Sequence, residues 1–126
     1  VDRYNNILEM LGHTNSTIDY LKIDIEGSEL DFFRDAFTNF PQLLKNVKQI
    51  LLEIHNIEHI YWHTGNSRNT TLNDYWQILQ LLNCHGFRLI HSEMIDLAQY
   101  QVQVNGKTRG TSYITTWITW TYGDNE

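Results

Sequence analysis

Two short stretches concentrate the side chains that could do chemistry. Ile18 to Leu30 reads IDYLKIDIEGSEL and sets Asp24 and Glu26 two residues apart, just before Gly27. Glu53, Ile54 and His55 close a second apolar run, QILLEIH. Alternate residues of an extended chain share a face, so Lys22, Asp24 and Glu26 form one set and Leu51, Glu53 and His55 another. If the two strands are neighbours, carboxylates and an imidazole gather around one crevice. Such a group could take a proton from a substrate hydroxyl or hold a divalent ion. A charged triplet on a buried strand costs on the order of several kcal/mol unless it is paired or functional, which favours function here. The structural alternatives are that Lys22 pairs with Asp24 or another carboxylate while Glu26 caps a turn, and that Glu53 pairs with Lys22 while His55 is a satisfied histidine opening a loop.

The elements that must position these residues are legible from periodicity. Tyr4, Ile7, Leu8 and Leu11 recur at helical spacing over residues 2 to 11, and Gly12 can take the left-handed conformation that ends the helix. Ile18 to Ile25 is a β-favouring run, expected to be a buried strand stopped at Glu26 and Gly27. Ser28 followed by Asp31 resembles a capping box, and Leu30, Phe33 and Phe37 continue a helix to Asn39. Pro41 suits the first turn of a short helix, after which Gln49 to Ile54 forms the second strand. Strand, helix and strand in succession make a βαβ unit with parallel strands, and an α/β fold leads. Leu72, Tyr75, Trp76, Leu79 and Leu82 mark a helix over 72 to 84, ended by Gly86. Phe87 to Met94 and Ser112 to Trp120 are strands with no helix-length pattern between them, so an antiparallel final pair is expected. Asn105 and Gly106 form a turn dipeptide, and Val102, Val104 and Thr108 flank it as a small hairpin arm or an irregular loop.

Other features carry less chemistry. His55, His59 and His63 recur every four residues with Glu58 nearby, a spacing that on a helix could hold zinc. The stretch from Asn56 to Asn69 reads instead as a loop over the strand ends, so no metal site is assigned. Tyr61 and Trp62 in that loop are candidates to wall a substrate pocket, or to pack against the sheet. Trp117 and Trp120 are expected to pack in the core or at an edge. The single Cys84 cannot pair within the chain, and its place at the end of an amphipathic segment predicts a buried thiol.

Composition narrows the partners. A formal charge of -6 leaves no basic stripe for a phosphate backbone, which argues against nucleic acid and for a small molecule. No window holds the roughly 18 apolar residues a membrane helix needs, so no membrane contact is expected of this segment. The sequons at Asn15 and Asn69 would suit the secretory pathway, although such triplets arise by chance in Asn- and Thr-rich chains.

Leu21, Lys22, Ile23, Asp24, Ile25, Glu26, Gly27 and Glu29, together with Glu53, Ile54 and His55, resemble the motifs of the FkbM-type and related animal methyltransferase-like family. The resemblance runs from about Tyr4 to Trp120 and is strongest at the first motif. It implies a seven-stranded Rossmann-like, doubly wound sheet of the class I S-adenosylmethionine-dependent methyltransferases, of which this chain would supply the C-terminal strands. It implies S-adenosyl-L-methionine as cofactor and methyl transfer to a hydroxyl of a small-molecule or glycan acceptor. In that family frame Asp24 lies nearest the transferred methyl and touches the cofactor, Glu26 and Glu53 shape or charge the acceptor site, and His55 is the candidate base.

One departure accompanies the match. No glycine-rich G-x-G turn precedes a helix, and no acidic residue about 20 positions beyond one is placed to bind a ribose. The expectation is therefore that residues 1–126 are the C-terminal part of one methyltransferase domain, that the first three strands precede Val1, and that these residues alone lack most of the cofactor site and are inactive without the N-terminal half. Lacking those neighbours, the first strand would expose an apolar edge. Two rivals of other classes are a non-catalytic, partner-dependent half-fold module and a metal-dependent nucleotide-sugar transferase using Asp24 and Glu26. Localisation is not set by the sequence; a secretory or membrane-anchored setting through an N-terminal segment is what the family and the sequons would suit.

Overall fold

The computed structural model describes residues 2–55, 72–95, 101–110 and 112–119. In chain order these form α1 (Tyr4–Met10), β1 (Leu21–Ile23), α2 (Glu29–Asn39), α3 (Pro41–Lys45), β2 (Gln49–His55), α4 (Leu72–Cys84), β3 (Phe87–Met94), β4 (Gln101–Val104), β5 (Lys107–Gly110) and β6 (Ser112–Thr119). The result is the mixed α/β architecture expected of a partial Rossmann-like sheet. Four strands are ordered β1, β2, β6, β3. β1 runs parallel to β2 with Leu21 beside Ile50 and Ile23 beside Leu52, while β6 is antiparallel to both β2 and β3. The antiparallel final pair is thus present, and it places the last strand between β2 and β3.

The core lies on one face of the sheet. Ile23, Ile50, Leu52, Ile54, Phe87 and Trp117 from the strands pack with Phe33, Ala36 and Phe37 of α2 and with Tyr75, Ile78 and Leu82 of α4. Phe33 stacks on Phe37 at 5.7 Å between ring centroids and meets Phe32 edge-on at 5.1 Å. Arg34 of α2 donates to Gln77 of α4 at 2.6 Å, tying the two helices together above the core. A polar pin holds the strand register: the Trp117 indole donates to Thr115 Oγ1, which donates in turn to the Leu52 carbonyl. Both groups are buried, so both need these partners.

Local signals account for most boundaries. Gly12 and Gly86 take positive φ just past α1 and α4, as helix-ending residues do, and Pro41 occupies the first turn of α3. Asn105 and Gly106 have φ of 52 and 72, the paired left-handed geometry of a tight hairpin, so β4 and β5 form the small arm rather than an irregular loop.

Four expectations need correction. The first strand is shorter than Ile18 to Ile25; Ile18 makes only an isolated bridge with Val47, and regular pairing begins at Leu21. That strand is also not buried throughout, since among the described residues it pairs on one side only, leaving Lys22 exposed and Leu21 half-buried. The capping box at Ser28 does not form, because Ser28 makes no side-chain capping bond and Glu29 takes up the Gly27 amide instead. Cys84 is exposed. It lies two residues past Leu82, which turns it about 200° around the helix from the row that Ile78 and Leu82 bury. Among the described residues no helix is long and apolar enough to cross a membrane.

Candidate functional site

The parallel pairing of β1 and β2 brings both sequence motifs to the same end of the sheet, where ligands of open α/β sheets bind. The chain leaves β1 through Asp24 and turns at Glu26 and Gly27, with φ of 52 and 92. A left-handed glutamate costs about 1–3 kcal/mol, and such strain accumulates at sites where a side chain must be aimed. Here the turn does aim carboxylates: Glu26 Oε2 and Asp24 Oδ1 lie 3.9 and 3.8 Å from His55 Nε2 at the end of β2. The other oxygen of Asp24 accepts from Lys22 Nζ at 3.2 Å, and Glu53 Oε2 lies 3.6 Å from the same ammonium.

His55 is 3% exposed, although strand alternation groups it with the half-exposed Glu53. The opening of α2 explains this. Glu29, the first residue of that helix, is 1% exposed; its Oε1 accepts from the Gly27 amide at 3.1 Å and sits 3.4 Å from His55 Nδ1. The imidazole therefore lies among Asp24, Glu26 and Glu29. Burial by itself would lower the His55 pKa, but the Glu29 hydrogen bond and the charges of Glu26, Glu29 and Asp24 outweigh it and hold the ring above its ordinary 6.5. Asp24, through its hydrogen bond and charge, and then Glu53 raise the Lys22 ammonium against its small desolvation.

The sequence-level alternatives thus coexist with the clustering. Lys22 does pair with Asp24 and Glu53, and His55 does have a buried partner, yet all of them meet at one strand-end crevice. Asp24, Glu53 and His55 each offer a ligand atom within 4.8 Å of the others, the spacing a metal ion could use. The Lys22 ammonium already lies between the two carboxylates and supplies positive charge there. Among the described residues carboxylates outnumber cations in the cluster, so the field they set up there favours positive charge.

Two members went unassigned in the sequence reading. Glu29 matched the motif but was given no role; its signal was its place at the first turn of a helix directly after the Gly27 turn. Ser112 of β6 pairs directly across from His55, is fully buried, and its hydroxyl has no hydrogen-bond partner. Nothing local marks it, because its position depends on β6 entering the sheet beside β2. Tyr61, Trp62, His59, His63, Glu58, Asn69 and Trp120 lie outside the described residues. Trp117, by contrast, is buried in the core as expected.

The model of the methyltransferase FkbM domain matches residues 6–89, more than half of the chain, from α1 through the site on β1 and β2 and into β3. No curated protein and no solved structure matches the chain. With both motif strands, the turn between strand and helix, and the buried histidine all inside the matched span, the chain belongs to the methyltransferase FkbM domain family.

Proposed function

We propose that the crevice at the ends of β1 and β2 is the acceptor side of an S-adenosyl-L-methionine-dependent methyl-transfer site, acting on a hydroxyl of a small molecule or glycan. The observation that carries this reading is the His55 imidazole, buried among carboxylates inside the span matched by the methyltransferase domain. Bound S-adenosyl-L-methionine would supply an electrophilic methyl on a positively charged sulfur that departs as a neutral thioether. The donor set fits that charge, since Asp24 and Glu53 present carboxylates to the crevice, where Lys22 and, when protonated, His55 are the cations they pair with among the described residues. Asp24 is assigned to the cofactor side. Glu26 and Glu53 line the acceptor side, with Tyr61 and Trp62 as further candidates there.

His55 accepts the proton of the acceptor hydroxyl at Nε2, so that the oxygen is a better nucleophile as its new bond to carbon forms. Positioning does the rest: holding the acceptor oxygen in line with the methyl converts an encounter into an effectively intramolecular step. No glycine-rich phosphate or ribose turn occurs in residues 1–126, so the remaining contacts to the cofactor are assigned to a further segment of the domain. Localisation in the secretory pathway is a matter for that segment too.

Calorimetric titration with S-adenosyl-L-methionine, on this chain and on the product of the full reading frame containing it, tests the reading. Saturable binding by the longer product, weakened by Asp24→Asn, is expected. His55→Gln should keep that binding and lower methyl transfer by roughly 10²- to 10⁴-fold, the usual loss of a general base. No saturable binding by the longer product would remove the enzyme reading in favour of a partner-dependent module. Manganese-dependent binding of a nucleotide would instead mark a nucleotide-sugar transferase, which the grouping of Asp24, Glu53 and His55 would also serve.

A further inference from the structure

The connection from α1 to β1 carries the triplet Asn15-Ser16-Thr17, whose middle residue is not proline. An asparagine two places before a hydroxyl residue is the acceptor pattern for N-linked oligosaccharide, a bulky hydrophilic group that only a surface position accommodates. The fold meets that condition. Asn15, Ser16 and Thr17 are all exposed, and the backbone turns there with the Ser16 amide donating to the His13 carbonyl at 2.9 Å. Among the described residues the Asn15 amide and the Thr17 hydroxyl have no hydrogen-bond partner, so the fold loses no contact when Asn15 Nδ2 is substituted. We propose that Asn15 is an N-glycosylation site of the full reading-frame product that contains this chain.

In that modification Asn15 Nδ2 forms a bond to the anomeric carbon of an oligosaccharide and gives up one proton. The bond from that carbon to a lipid-linked pyrophosphate breaks, and the pyrophosphate leaves with the electron pair. The donor resides in the secretory pathway, so the proposal places the product there. The turn also lies where a large group does no harm. Ile18, just after it, is fastened to the junction of α3 and β2, its amide donating to the Asn46 carbonyl at 2.8 Å and its carbonyl accepting from Lys48 at 2.9 Å. The Asp24, Glu53 and His55 crevice sits at the opposite end of β2. At about 3.3 Å per residue the length of that strand separates the two ends by roughly 20 Å, which leaves the crevice open. Met10 and Leu11, 77% and 56% exposed, precede the turn, and a hydrophilic oligosaccharide beside them would screen that apolar surface.

Peptide mass spectrometry tests the proposal on the full reading-frame product, made in secretion-competent eukaryotic cells under its own N-terminal sequence. Peptide N-glycosidase in heavy-oxygen water converts a glycosylated asparagine to a labelled aspartate, and the label is expected at Asn15 in most molecules. Because the peptide itself is read, the triplet at Asn69 does not confuse the result. Asn15→Gln should remove one glycan from the product, seen as a single step in gel mobility. Thr17→Ala should abolish the label at Asn15 while Thr17→Ser retains it, which separates loss of the hydroxyl from disturbance of the turn. An unlabelled Asn15 in the wild-type product, or a label that survives Thr17→Ala, would overturn the proposal.

Discussion

Replacing His55 with leucine tests whether the buried pair at the strand end is coupled as the geometry requires. Glu29 is 1% and His55 3% exposed, so removing the imidazole leaves a carboxylate sealed from water. Breaking a buried pair by deleting one partner costs about 3–5 kcal/mol. Two observations place this pair at the lower end of that range. Its 3.4 Å separation is longer than the roughly 2.7–2.9 Å of a strong charge-assisted bond, and Glu29 retains the Gly27 amide. His55→Leu is therefore expected to lower the unfolding free energy by about 3 kcal/mol, read from urea denaturation at pH 6. A small domain holds about 5–15 kcal/mol, so the variant should remain folded at low urea. Glu29→Leu should cost a similar amount, and the double variant less than the two together by about 1–3 kcal/mol, because the second change removes the group that the first left unpaired. A cost below about 1 kcal/mol for His55→Leu, or strict additivity in the double variant, would refute the coupling.

Two further outcomes follow from the same cluster. Because the folded-state pKa of His55 lies above its ordinary 6.5, its contribution to stability is fully present below about that value and is lost as pH rises through the folded-state pKa. The stability gap between wild type and His55→Leu should accordingly narrow from pH 6 to pH 9, and a constant or widening gap in urea titrations would contradict the assigned direction. Ser112→Ala removes a buried hydroxyl without a partner, whose desolvation costs about 1–3 kcal/mol, so thermal or urea midpoints should hold or rise; a loss above about 1 kcal/mol would show that the hydroxyl is satisfied.

Much of this molecule was legible before folding because the signals are local. The period of Tyr75, Leu79 and Leu82 together with Gly86 bounded α4, the β-branched and aromatic run bounded β6, and the Asn105-Gly106 pair specified a turn whose φ values only such residues adopt easily. The motif residues Asp24, Glu26, Glu53 and His55 were likewise visible, since alternation along a strand needs no partner to be read. Their meeting in space was legible only on the condition that β1 and β2 are neighbours, which the parallel pairing of the two strands meets.

Contacts between distant segments decided the remainder. Glu29 and His55 are 26 residues apart and meet because α2 starts at the carboxyl end of β1 while β2 ends beside it. The unpaired hydroxyl of Ser112 arises because β6 enters the sheet between β2 and β3 rather than at its edge. Cys84 faces solvent because the buried stripe of α4 follows Ile78 and Leu82, and a helix turns by about 100° per residue. Residue type and spacing determined which elements form and which side chains carry charge. Burial, which depends on what each element packs against, decided which of those charges lie beyond the reach of water and must therefore find one another.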